Sequence, residues 1–123
     1  MNLVIDDSKY NINNLFFYEP VKNTVMEQSN FIRIIYSDEN IILNGLYLKL
    51  DNFLQKVNNI EKLEMQILNK YNNLKNKSFK LKENFEYLLK KCNSDKLLFN
   101  LKISGIWETD KSIGLTFKFM YTE

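Results

Sequence analysis

Hydrophobic and polar positions change their period twice along this chain. Residues 1–50 carry β-branched and aromatic side chains in short runs set apart by polar breaks. The runs are 14–19 (Leu15, Phe16, Phe17, Tyr18), 24–36 (ending Phe31-Ile32-Arg33-Ile34-Ile35-Tyr36) and 41–50. The breaks are Pro20 with Lys22-Asn23, and Ser37-Asp38-Glu39-Asn40. This spacing and composition predict three strands. Gly45 inside the third marks a bulge or a sharp bend.

From Asp51 the period lengthens. Phe53, Leu54, Val57, Ile60, Leu63, Ile67, Leu68, Tyr71 and Leu74 recur in steps of three and four, the pattern of an amphipathic helix. Asp51 is a fitting N-cap and Asn72, Asn73 and Asn76 a fitting exit. A second helix fits 81–92, with Phe85, Leu88 and Leu89 inward. The C-terminal part returns to period two. Leu97, Phe99, Leu101 and Ile103 share one face, opposite Asn100, Lys102 and Ser104. After a turn at Thr109-Asp110-Lys111-Ser112, Ile113, Leu115, Phe117, Phe119 and Tyr121 share one face, opposite Gly114, Thr116 and Lys118. That is a half-buried antiparallel hairpin.

The expected organisation is one α+β domain over 1–123: three strands in 1–50, a helical segment in 51–92 and the hairpin in 97–122. This order points to an OB-like five-stranded antiparallel barrel, or a strongly curved sheet, with a helical insertion between strands 3 and 4. A helix packed on an open antiparallel sheet is the alternative.

Composition narrows the chemistry. The chain has no histidine and one cysteine, Cys92. Histidine-based triads and the usual zinc sites therefore cannot be assembled within one chain, and Cys92 reads as a small apolar filler near a helix end. The carboxylate pairs Asp6-Asp7 and Asp38-Glu39 lie in polar turns. The expectation is a protein that binds rather than catalyses, with no cofactor and no metal. A lone cysteine fits a reducing compartment or a virion interior better than secretion, and no apolar stretch is long enough to span a membrane as a helix.

The net charge of +2 is unevenly spread. Residues 1–55 hold four basic and seven acidic side chains, 56–91 hold nine lysines and four glutamates, and 92–123 hold four of each. The basic middle reads either as a solvated helix surface or as a footprint for a polyanion. Arg33 is the only arginine.

Asn30-Phe31-Ile32-Arg33-Ile34-Ile35-Tyr36-Ser37, Leu43-Asn44-Gly45-Leu46-Tyr47-Leu48, Leu101-Lys102-Ile103-Ser104-Gly105-Ile106-Trp107-Glu108 and Gly114-Leu115-Thr116-Phe117-Lys118-Phe119 resemble the strands of a known family. They look like small OB-type single-stranded DNA-binding proteins of large eukaryotic DNA viruses. The resemblance is strongest at the C-terminal end. It implies single-stranded DNA as ligand, a role in viral DNA replication or repair, and a place in host cytoplasm or nucleus, or in the virion. The acidic, aromatic-tipped tail of replicative single-strand binders is absent from the sequence, which closes on Tyr121-Thr122-Glu123.

Single-strand binding without sequence preference needs aromatic faces for bases and cations for phosphates. The strands interleave both. Arg33, Tyr36, Tyr47, Lys49, Lys102, Trp107 and Lys118 are the candidate nucleic-acid-binding residues. Five of them have competing readings: Lys102 and Lys118 as the wet side of a sheet, Trp107 as a core cap, and Tyr36 and Tyr47 as undecided rings whose polar tips must be solvated or hydrogen-bonded. The apolar stripe of 51–74 exceeds what a small barrel covers, so its far end is expected to contact a second copy or a protein partner. The alternative function is a structural or protein–protein interaction module.

Overall fold

The structure is a computed structural model, and it describes residues 5–6, 10–23, 28–50, 57–91 and 99–121. Its spine is the C-terminal hairpin, named here from the start of the chain. The strands are β1 (Ile5–Asp6), β2 (Leu15–Phe17), β3 (Val21–Lys22), β4 (Asn30–Ser37), β5 (Ile42–Leu43), β6 (Leu46–Leu50), β7 (Asn76–Ser78), β8 (Phe99–Glu108) and β9 (Ser112–Tyr121). The helices are α1 (Val57–Tyr71) and α2 (Lys80–Lys91).

β8 carries β9 along one edge. Its other edge is shared between β6, which pairs with its first half, and β4, which pairs with its second. β4 is shared as well, since β8 and then β5 follow one edge while β3 and β2 follow the other. The register of β8 slips between Ile103 and Gly105. This bulge reverses the alternation, so Ile106 rather than Gly105 continues the inward row of Leu101 and Ile103. The turn after β8 is closed by Thr109, whose hydroxyl accepts from the Ser112 amide at 3.1 Å.

One face of the sheet holds the core. Leu15, Ile32, Ile34, Leu46, Leu48, Leu101, Ile103, Ile106, Ile113 and Leu115 are buried there. α1 adds Ile60, Leu63, Ile67 and Leu68, and α2 adds Leu81 and Phe85. Phe85 stacks on Phe119 with ring centres 6.0 Å apart. The stripe of α1 is thus consumed by this chain's own sheet. Leu74, beyond the helix end, is 92% exposed. Leu74, at the far end of the 51–74 stripe, thus stays uncovered by this chain, and Phe53 and Leu54 lie outside the described residues.

The sequence-based organisation holds at the level of a mixed α+β chain with strands, then helices, then a hairpin. The five-stranded barrel does not. Nine strands join one sheet among the described residues, and no pairing closes it. Two pairings, β1 with β6 and β7 with β9, are parallel. The helical segment is interrupted by β7, and the expected break at Pro20 with Lys22-Asn23 includes the short strand β3. The run 41–50 splits at Gly45, whose φ of +109° places it where a side chain is strained. The expected N-cap Asp51 and the filler Cys92 lie outside the described residues.

Candidate functional site

The sheet face opposite the helices gathers most of the candidate residues. Alternation sends Phe31, Arg33 and Ile35 of β4 outward, because Ile32 and Ile34 are buried. By the same logic β6 presents Tyr47 and Lys49, and β9 presents Gly114, Thr116, Lys118 and Met120. β8 presents Asn100 and Lys102 before its bulge, and Gly105 and Trp107 after it.

The registers convert these positions into rows across the sheet. At the hairpin tip Val21, Phe31, Trp107 and Gly114 stand side by side. The next row is Arg33, Gly105 and Thr116, and Tyr18 extends it by donating its amide to the Arg33 carbonyl at 2.9 Å. Beyond the bulge come Tyr47, Lys102 and Lys118, then Lys49, Asn100 and Met120.

The two glycines explain how the aromatic rings lie. A Cβ on Gly114 would fall 2.5 Å from Trp107 Cε2 and 2.7 Å from its Nε1, so the indole rests on the bare backbone of β9. A Cβ on Gly105 would fall 2.7 Å from Phe31 Cζ, so the phenyl ring rests on β8 in the same way. Each ring lies against the backbone of a neighbouring strand on the outer side of the sheet. Both rings are half-buried. That geometry suits stacking on a planar ligand.

The cations of the face are Arg33, Lys49, Lys102 and Lys118. None has a carboxylate partner among the described residues, and no outward position of β4, β6, β8 or β9 is acidic. Lys102 and Lys118 are direct cross-strand partners. Two like charges placed so repel each other and lower stability. Lys102 is partly accommodated by the Tyr47 ring, 5.4 Å from its ammonium nitrogen.

Tyr36 is a correction. It is only 2% exposed and continues the buried row of Ile32 and Ile34. Its hydroxyl accepts from the Asn11 amide at 3.1 Å and its ring sits 6.1 Å from that of Tyr10. It belongs to the core and offers no face to a ligand. Phe31 takes its place on the outer face. Three further residues absent from the sequence-based set border the face at its β2–β3 margin: Phe16, Tyr18 and Val21, each more than half exposed.

The basic middle of the chain resolves into local anchors. Lys70 donates to the carbonyls of Ile12 and Leu15, both at 2.7 Å. Lys75 binds Glu108 at 3.1 Å and the Thr109 carbonyl at 2.7 Å. Lys77 reaches the Asn73 carbonyl, while Lys80 and Lys82 pair with Glu83 and Glu61. Glu64 is fully buried and accepts from the amides of Leu81 and Lys82 at 2.9 and 3.1 Å, capping α2 from α1. Tyr71 donates to Glu108 at 3.0 Å, and burial together with that carboxylate pushes its hydroxyl up to about 12.

Among the described residues no cluster of acidic or cysteine side chains is arranged to hold a metal ion. No helix among them is long and apolar enough to cross a membrane. No family model, curated protein or solved structure matches the chain.

Proposed function

We propose that the outer face of the sheet binds single-stranded DNA. The observation that carries this reading is the pairing of two rings, Phe31 and Trp107, set against glycine backbone, with four cations on the same face that have no carboxylate partner among the described residues. Rings of this kind accept any base, and stacking contributes about 1–3 kcal/mol per base. The cations supply a sequence-independent attraction to phosphates. An OB-type origin of the sheet fits the same reading. It is supported by the order of strands, helices and terminal hairpin, and by two strands, β4 and β8, each shared between two partners along one edge.

Trp107 is the sole tryptophan, so its emission reports the face directly. Titration with an oligothymidylate at low salt is expected to quench that emission. The affinity should weaken steeply as salt is raised. Trp107→Ala should reduce affinity roughly 5- to 150-fold, the equivalent of one stacked base. Unchanged emission and no retention of the oligonucleotide at low salt would sink the proposal.

The exposed margin of Phe16, Tyr18 and Val21 favours a second reading, a protein-interaction module. It requires oligomers or complexes that survive high salt, which light scattering distinguishes from a salt-sensitive DNA complex.

A further inference from the structure

We infer that the ligand strand runs lengthwise along β8, with about one nucleotide per row, instead of crossing the sheet from strand to strand. The inference rests on the single-strand reading above and assigns the path and extent of its site. The chemistry of the face is graded along β8, from rings at the tip to cations beyond it. The tip row holds rings and no cation (Val21, Phe31, Trp107, Gly114). The next holds Arg33. The third holds Lys102 and Lys118, and the fourth Lys49. A strand crossing at the tip would find rings and no phosphate partner in that row. A strand crossing at the third row would find two lysines and one ring, Tyr47, already faced by Lys102. Only the lengthwise path meets the ring row and every cation.

The spacing agrees. Outward positions on a strand repeat every two residues, about 6.7 Å, which is close to the separation of successive phosphates on an extended single strand. From Gly114 to Met120 on β9 the four rows span roughly 20 Å. The site therefore takes about four nucleotides, the low end for sheet-borne single-strand sites. An unpaired base rests on Trp107 or Phe31. The following phosphates meet Arg33, then the Lys102–Lys118 pair, then Lys49. The repulsion within the Lys102–Lys118 pair is relieved when a phosphate sits between them.

The test is a length series of oligothymidylates, from dinucleotide to decanucleotide, titrated against the full chain with Trp107 emission as readout. Affinity should climb with each added nucleotide to about four or five, then rise only by the statistical gain of extra registers. Lys49→Gln should lower the ratio of pentanucleotide to dinucleotide affinity severalfold. It should also reduce the salt slope for the pentanucleotide by about 0.7. Trp107→Ala, read by anisotropy of a labelled oligonucleotide, should weaken both lengths together and leave the ratio near its original value. A plateau already at the dinucleotide, or a Lys49→Gln ratio equal to that of the parent, overturns the lengthwise path while leaving single-strand binding standing. Absence of binding at every length overturns both.

Discussion

At the scale of single residues, the outer face depends on two glycines that could pass for ordinary strand interruptions. Gly105 and Gly114 leave room for Phe31 and Trp107 to lie on backbone. The two positions differ in what an added methyl group meets. At Gly105 it meets the Ile32 carbonyl as well as the Phe31 ring, and backbone cannot move aside cheaply. Gly105→Ala is expected to cost about 2–3 kcal/mol, in the range of overpacked interiors, measurable as a lower denaturant midpoint. At Gly114 the atoms nearest to the Cβ belong to the indole, a side chain able to swing outward. Gly114→Ala should cost less than Gly105→Ala yet shift Trp107 emission to longer wavelength, as the ring leaves the sheet. An unchanged Trp107 spectrum would contradict the placement of the indole over β9. Alternation alone could have found Phe31, which shares a face with Arg33. It also places Tyr36 with Ile32 and Ile34 in the core. The polar tip of Tyr36 needs solvent or a hydrogen bond, and the Asn11 amide supplies the hydrogen bond inside the fold.

At the scale of elements, α2 is held at its start by a carboxylate from α1. Glu64 is buried, and loss of solvation raises its proton affinity more than the two amide hydrogen bonds lower it. A carboxyl whose folded value lies above its unfolded value binds more protons in the folded state. Its contribution to stability is then greatest below the ordinary carboxylate range and falls as pH rises through that range to the raised value. Glu64→Gln removes the titration. Its stability should vary less between pH 4 and 7 than that of the parent, with the parent losing ground as pH rises, as read by denaturation midpoints on a pH series. Glu64→Ala leaves two amides without this acceptor and should cost about 1–3 kcal/mol at low pH, a cost that narrows as pH rises. The periods of both helices were legible because Ile60, Leu63, Ile67, Leu68, Leu81 and Phe85 fall on regular stripes. The cap was not, because Glu64 lies in that stripe as a charged residue and its partners are backbone amides seventeen and eighteen positions away. β7 was equally hidden. Asn76-Lys77-Ser78 has no strand-forming side chain, and its pairing comes from a parallel register against Ser112, Ile113 and Gly114.

At the scale of the whole molecule, charge counted along the chain and charge counted by surface give different answers. The chain's richest basic stretch is 56–91, yet Lys70, Lys75, Lys77, Lys80 and Lys82 there bond to carbonyls or carboxylates. The cations without such partners on the sheet come from segments of neutral or negative net charge. Linear sequence could not expose this, because the face is assembled from β4, β6, β8 and β9 by long-range registers. The sheet's failure to close is of the same kind, set by which edges pair and not by the period of any one strand. The distinction has a direct consequence for salt dependence. Neutralising Lys62 and Lys90, exposed on the helices, removes as much net charge as neutralising Lys49 and Lys118 on the sheet. If affinity followed net charge, the two double variants would behave alike. Under face-specific binding, Lys49→Gln with Lys118→Gln should lower the slope of log affinity against log salt by about 1.4, near 0.7 for each phosphate that is no longer neutralised. Lys62→Gln with Lys90→Gln should change that slope little, since helices and outer face lie on opposite sides of the sheet. Anisotropy titrations with an oligothymidylate at several salt concentrations measure both. Equal slopes for the two variants would return the ligand to a diffuse electrostatic association with no preferred face.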